Sequence, residues 1–315
     1  MKHTPTKFVP DSLMKDHSNF CYDKLNKITE DLQKKLTKLI GKPIYSNDGF
    51  ILYESDFLES AKKLETIKPF IDLTVTSPPY NIGKEYEENI SIEEYLTWSE
   101  KWMNSVFNLT KSHGSFWLNV GHFEVPEKGK CVPIPYLIWD KSNFYLIQEV
   151  VWRYGAGVHT KKRLSPRNEK WLLYAKNFDQ YTFNLDEIRD PNVKYPNQKK
   201  DGKLKNNPLG KNPSDVWDFP KVTSGGSRSS KERTDHPAQF PLKVVERAIR
   251  ASSNQNEIIL DPFVGSGTTT IAANALGRVC LGFEINKNYC NIAIKRHKQF
   301  IEYRKNYLAQ TQFNF

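Results

Sequence analysis

Two short stretches of this 315-residue chain carry residue types at spacings that suit chemistry. The first is Leu260-Asp261-Pro262-Phe263-Val264-Gly265-Ser266-Gly267-Thr268-Thr269, a glycine loop joining a strand pattern to a helical one, with an acid, Glu284, at the end of the next strand pattern. Glycines let a backbone approach a ligand closely, a helix N-terminus offers unpaired N–H groups, and a carboxylate about 20 residues on accepts both ribose hydroxyls. That is the logic of a nucleotide site. A P-loop is excluded because no lysine follows Gly267, and a dinucleotide site is disfavoured because Thr270 stands where the third, helix-packing glycine belongs. The second stretch is Ser77-Pro78-Pro79-Tyr80-Asn81, which ends the apolar run Phe70-Ile71-Asp72-Leu73-Thr74-Val75. Two prolines directly after a buried strand make a rigid loop at its C-terminal end, the edge where open α/β sheets bind ligands.

The elements that must position these loops follow from periodicity. Leu25, Ile28, Leu32, Leu36, Leu39 and Ile40 recur at steps of three and four and predict an amphipathic helix over 22–40, stopped by Gly41 and Pro43. It reads as a packed surface helix, the alternative being a partner contact. Strands are expected at 50–57, 70–75, 114–121, 145–154, 171–176, 257–263 and 278–285, with helices at 91–110, 134–144, 236–253, 268–277 and 288–305 and a helical stretch up to about Lys68. Strands alternating with helices at this spacing predict an α/β fold, a doubly wound sheet covered on both faces. From about Phe178 to Asp235 the pattern fails. Within 194–233 ten Lys/Arg stand against four acids, so more than half of the net charge lies in one loop-rich insert. A solvated linker is the plain alternative, but so long a linker inside an α/β domain is uncommon without a function, and the charge favours a DNA-contacting segment.

Composition points the same way. Lys plus Arg is 46 and Asp plus Glu 36, a net charge of +10, which favours a polyanionic partner, nucleic acid ahead of an acidic membrane surface. The mean hydropathy of −0.64 and the lack of any apolar run near the roughly 18 residues of a membrane helix speak against a membrane span. The N-terminal residues carry no apolar signal core, so the expected address is cytoplasmic, associated with a bacterial or archaeal nucleoid. Cys21, Cys131, Cys280 and Cys290 form no CxxC pair and read as reduced thiols, with neither disulfide framework nor metal site.

Taken together, Ser77-Pro78-Pro79-Tyr80 and the run from Asp261 to Thr269 resemble the two hallmark motifs of the S-adenosylmethionine-dependent DNA amino-methyltransferases. Their order, catalytic loop, basic insert, cofactor loop, is similar to the circularly permuted β class. The resemblance runs from about Ile51 to His297 and includes GSFWLNVG (114–121), LSPRNEKWLLYAK (164–176) and HPAQFPLKVVERAI (236–249). It implies a Rossmann-like methyltransferase fold with a mixed sheet and a DNA-recognition insert, divided as an N-terminal helical extension (1–43), a catalytic half (44–178), the insert (179–235) and a cofactor half (236–315). It also implies duplex DNA as partner and a cognate restriction endonuclease that shares the site.

By the same resemblance, Ser77, Pro78, Pro79 and Tyr80 are catalytic. The Ser77 hydroxyl and the Pro78 carbonyl accept hydrogen bonds from an exocyclic NH2 and localise its lone pair, while Tyr80 stacks on the flipped base. Phe263, Gly265 and Gly267 line S-adenosylmethionine, Asp261 and Thr268 hold its methionine end, and Glu284 binds its ribose. Asp56 falls beside the adenine amino group or caps a helix, Asn81 approaches the cofactor or is a turn residue, and His236 is a cofactor-side turn or a structural histidine. Cys131 lacks the proline that precedes the nucleophile of ring-carbon methyltransferases and reads as a bland thiol. Lys199, Lys200, Lys203, Lys205, Arg228, Lys231 and Arg233 are the expected DNA contacts. Serine at position 77 is similar to the cytosine-N4 enzymes, where aspartate is the usual adenine-N6 form. The alternatives are adenine-N6 methylation, a non-catalytic DNA-binding module, or an RNA or protein methyltransferase.

Overall fold

A computed structural model of the chain describes residues 9, 11–14, 20–79, 90–125, 128–155, 157, 159–222 and 232–312. A one-turn helix α1 (Asp11–Met14) precedes α2 (Tyr22–Ile40), whose buried Leu25, Leu32 and Leu36 are the stripe read from the sequence. Then follow β1 (Tyr45–Asn47), β2 (Phe50–Glu54), α3 (Phe57–Leu64) and β3 (Ile71–Thr76). α4 (Ile92–Leu109) starts at Ser91, whose side chain accepts from the Glu94 N–H while Glu94 accepts from the Ser91 N–H, a reciprocal cap. It runs directly into β4 (Thr110–Val120), and a small hairpin, β5 (His122–Val125) and β6 (Gly129–Pro133), leads to α5 (Pro135–Ile138). β7 (Tyr145–Arg153), β8 (Asn168–Ala175), the two-residue strands β9 (Lys199–Lys200) and β10 (Lys203–Leu204), and β11 (Val216–Asp218) come next. The chain closes with α6 (Leu242–Ser252), β12 (Ile258–Asp261), α7 (Thr268–Ala275), β13 (Val279–Glu284) and α8 (Lys287–Gln312).

The main sheet has nine strands in the order β1-β2-β13-β12-β3-β4-β8-β7-β11. From β2 to β4 neighbouring strands are parallel, while β1, β8 and β7 pair antiparallel with their neighbours toward the centre, and β11 runs parallel to β7. β3, β12 and β13 are buried almost throughout, as parallel strands covered on both faces must be. Successive side chains alternate between two cores. Phe50, Leu52, Leu73, Ile259 and Cys280 join α1, α6, α7 and α8 on one face, and Ile51, Tyr53, Leu260, Leu281 and Phe283 join α2, α3, α4 and α5 on the other.

Three expectations are corrected. The helix expected over 134–144 stops at Ile138, because the Asn104 side chain takes over the next backbone groups: its amide donates to the Lys141 carbonyl and its oxygen accepts from the Asn143 N–H. The helix expected from 236 starts only at Leu242, after Pro237 and Pro241, so that His236–Pro241 is free to fold as a turn. The 178–235 segment is not wholly irregular. It holds a 3₁₀ turn (Leu185–Ile188) and the β9–β10 hairpin, and β11 adds to the edge of the main sheet through Trp217, which is buried with its ring 5.4 Å from that of Trp117. One inward residue between two exposed ones is too short a signal for periodicity to reveal.

Candidate active site

β3 and β12 are adjacent and parallel, with Leu73 opposite Ile259 and Thr74 opposite Leu260, so the Ser77 loop and the Asp261 loop leave the same sheet edge side by side. Asp261 clasps them together. Its Oδ1 accepts from the Thr76 hydroxyl at 2.6 Å and from the Phe263 N–H at 3.1 Å, and Thr269 on α7 donates to the Val75 carbonyl at 3.4 Å. Burial pushes the Asp261 carboxyl up to about 6, against the pull of its hydrogen bonds from Thr76 and the Phe263 N–H.

Beyond the clasp lies a cavity of about 660 Å³. Ser77, Pro78 and Pro79 line it, as do Asp56, Phe263, Gly265, Thr268 and Glu284, so eight of the expected site residues share one space. The Glu284 carboxylate accepts from the Gly265 N–H and the Asn286 N–H, both at 2.8 Å, and burial raises its pKa while those N–H groups oppose the rise. Gly265 has φ +51°, and a Cβ there would lie 2.8 Å from His236 Nε2, so the loop has no room for a side chain. Phe263 packs on Trp98 and Trp102 of α4 with ring centroids 5.5 and 5.2 Å away. Pro79 is tied from the same helix by the Tyr95 hydroxyl, which donates to its carbonyl at 3.0 Å. The Asp56 carboxylate caps α3 by accepting from the Leu58 N–H at 2.7 Å, and the residue also lines the cavity. His236 Nδ1 accepts from the Ala238 N–H and its ring stands edge-on to Tyr289, so it is a turn residue that also lines the cavity.

Two expected residues are placed otherwise. Asp261 is buried behind the cavity wall, and Gly267, with φ +78°, starts α7 and packs on Ala293 without lining the space. Tyr80, Asn81, Arg228 and Lys231 lie outside the described residues. Lys199, Lys200, Lys203 and Lys205 are exposed on and beside the β9–β10 hairpin, and none of them, nor the exposed Arg233, lines the cavity. Cys131 is an exposed thiol away from it. At the opposite sheet edge Asp72, His113 and Glu257 each bring a possible metal-ligating atom to within 4.8 Å of the others, but Asp72 Oδ1 already pairs with Lys111 Nζ at 2.8 Å.

The far wall of the cavity escaped the sequence reading. It is built from Trp152 on β7, Glu169 on β8, Asn119 on β4 and Lys221 just after β11. Lys221 Nζ donates to Glu169 Oε1 at 2.6 Å and sits 4.0 Å from the Tyr154 ring centre. Burial alone would lower the pKa of this ammonium, but Glu169 and Tyr154 outweigh burial and raise it. In the sequence Lys221 is one charge of the basic segment and Glu169 one residue of the stretch 164–176; only the pairing of β7, β8 and β11 joins them. Beneath the glycine loop the buried Arg296 donates from Nη1 to the Ser266 carbonyl at 2.6 Å and to Thr268 Oγ1 at 3.1 Å. Desolvation lowers its pKa to about 10, with Glu232 opposing.

A pair of loops tied together at the carboxyl edge of a doubly wound sheet, sharing one cavity lined by acids and aromatics, has the form of a nucleotide-cofactor site. A model of the DNA methylase family matches residues 71–295, and the chain belongs to that family. Type II methyltransferase M.ScaI of Streptomyces caespitosus is 60% identical over 83% of this chain and 85% of its own length. Type II methyltransferase M.HpaI of Haemophilus parainfluenzae is 35% identical over 77% and 72%, and DNA adenine methyltransferase YhdJ of Escherichia coli (strain K12) 30% identical over 85% and 89%. Among solved structures, the cytosine-N4-specific PvuII DNA methyltransferase shares the fold with a TM-score of 0.63 at 20% identity, covering 85% of this chain and 95% of that one. The M1.HpyAVI–SAM complex does so with a TM-score of 0.53 at 23% identity, over 78% and 98%.

Proposed function

We propose that the protein is a type II, site-specific DNA methyltransferase that uses S-adenosylmethionine and acts on the N4 amino group of cytosine in duplex DNA, protecting the site from a cognate endonuclease. The observation that carries the reading is the Asp261 clasp, which holds an acceptor-bearing Ser77-Pro78 loop and a glycine cradle against one cavity. The cavity suits an adenosyl sulfonium: Gly265 leaves space where a Cβ would close it, Phe263 offers an apolar wall, and Asp56 and Glu284 supply negative charge near a cationic ligand. When bound, S-adenosylmethionine supplies an electrophilic methyl group.

The chain's own residues do the rest. Glu284 retains lone pairs for ribose hydroxyls although both oxygens accept backbone N–H groups, and Asp56 does the same toward an adenine amino group. Thr268, fixed by Arg296, faces the methionine end; Asp261 acts there by holding the loop, and Gly267 by letting α7 start close to α8. Ser77 and the Pro78 carbonyl accept from the NH2 of the flipped base and steer its lone pair toward the methyl group, with acceptors fixed in advance of the reaction. Tyr80 stacks on that base and Asn81 borders the cofactor. Across the cavity, Lys221 and Glu169 offer a donor and an acceptor to the base edge.

Serine at position 77 supports cytosine over adenine, and the adenine-specific YhdJ is the relative that keeps the other target in play. Residues 44–178 and 236–315 act as the catalytic and cofactor halves behind the 1–43 extension. Within 179–235 the exposed Lys199, Lys200, Lys203 and Lys205, with Arg228, Lys231 and Arg233, contact DNA. The test is transfer of labelled methyl groups to unmethylated DNA followed by mass spectrometry of the nucleosides. Label on 4-methylcytosine is expected, and label on 6-methyladenine overturns the target. Ser77→Ala is expected to bind S-adenosylmethionine normally in calorimetry yet lose at least about 100-fold in turnover.

A further inference from the structure

No described residue of the loop between β7 and β8 lines the cavity. Its place is fixed by its two feet. Arg153 pairs with Asn168, and the Tyr154 N–H donates to the Arg167 carbonyl at 3.0 Å, so the ladder is closed to its last residue. Trp152 and Glu169, one step inside each foot, line the cavity. The feet of the loop therefore stand at the cavity wall, on the side of the Lys221–Glu169 pair.

Its composition is one-sided. Between Gly155 and Asn168 the chain carries His159, Lys161, Lys162, Arg163 and Arg167 and no acid. Its tip is folded: the Thr160 hydroxyl donates to the Arg163 carbonyl, and Ser165 Oγ accepts from the Thr160 N–H at 3.3 Å. From this closed turn Leu164 projects at 94% exposure, the most exposed large apolar side chain among the described residues. A solitary exposed leucine is ordinary on a protein surface. This one stands directly after three consecutive exposed cations, on a loop whose feet belong to the cavity wall of a DNA methylase.

We propose that this loop enters duplex DNA at the target base pair, with Leu164 filling the gap in the stack left by the extruded base and Lys161, Lys162 and Arg163 on the flanking phosphates. Apolar side chains inserted between base steps offset the loss of stacking, and cations beside them fix the wedge in register on the backbone. Only four residues separate Leu164 from Glu169 in the cavity wall, so gap and pocket are served from one short stretch of chain. The proposal rests on the reading that the base leaves the duplex, but not on which base it is.

The test uses the full chain and a duplex carrying the sequence it methylates, with 2-aminopurine next to the target. Wild type is expected to raise the fluorescence on binding. Leu164→Gly is expected to keep thermal stability and S-adenosylmethionine binding, to bind the duplex within about threefold of wild type, to lose the fluorescence rise, and to methylate about 10-fold more slowly. A mismatch opposite the target, which lowers the cost of extrusion, is expected to restore most of its rate, a rescue that a merely structural defect would not show. Replacing Lys161, Lys162 and Arg163 by Gln is expected to weaken duplex binding and lower the slope of log K against log salt by about two to three. Wild-type rates and fluorescence in Leu164→Gly overturn the wedge while leaving base flipping intact. No fluorescence rise with wild type itself overturns the flipping reading on which the proposal stands.

Discussion

Asp261 shows how a residue legible as part of a motif takes its task from its neighbours. In the sequence it opens the cofactor loop; in the fold its carboxylate is sealed from solvent and spent on Thr76 and the Phe263 N–H. A carboxyl raised from 3.8 to about 6 on folding contributes stability that is fully present below pH 3.8 and lost as the pH rises through about 6, because the folded state then holds a charge the unfolded chain carries more easily. Asp261→Asn keeps an oxygen for Thr76 and cannot ionise. Urea unfolding from pH 4 to 8 is expected to show the variant gaining up to about 3 kcal/mol relative to wild type between pH 4 and 7, then levelling off. A difference that does not vary with pH would refute the burial effect. Arg296 is a second such residue: on a helix that reads from the sequence as simply basic, it is the buried support of Ser266 and Thr268.

At the scale of elements, β11 decides how the basic segment relates to the catalytic body. The composition of 179–235 suggests one detachable insert, yet Trp217 is seated on Trp117 and Lys221 reaches Glu169. Trp217→Ala is expected to cost about 3–5 kcal/mol in chemical denaturation, the range for a buried aromatic, and to weaken activity because the strand that delivers Lys221 is lost. An unchanged midpoint would mean that the edge strand is dispensable. Replacing the whole segment by a linker would therefore damage the site itself, and the sound test of DNA contact is confined to the β9–β10 hairpin. With Lys199, Lys200, Lys203 and Lys205 changed to Gln, S-adenosylmethionine binding is expected to persist while the salt slope of duplex binding falls by about three to four. α2, in contrast, behaves as its stripe predicts, burying Leu25, Leu32 and Leu36 while packing against α3 and β2.

At the scale of the whole molecule, the carboxyl edge of one nine-stranded sheet carries the cavity and both motif loops as far as they are described. The parallel strands β2, β3, β4, β12 and β13 end there, β7 and β11 run the same way, and β8 begins there. No helix among the described residues is long and apolar enough to cross a membrane. The α/β class, both motif loops, the N-terminal helix and the excess of positive charge were determined by sequence alone, because each is a local pattern: a period, a proline pair, a glycine run, a count. The tertiary structure alone decided that Thr76 and Asp261, 185 residues apart, share a hydrogen bond. It also decided that Lys221 turns inward while neighbouring lysines face solvent, and that Leu164 stands exposed on a loop whose feet flank the cavity wall. Those outcomes follow from which strands pair across the sheet, and strand pairing is a nonlocal choice among many compatible partners that no local spacing in the chain encodes.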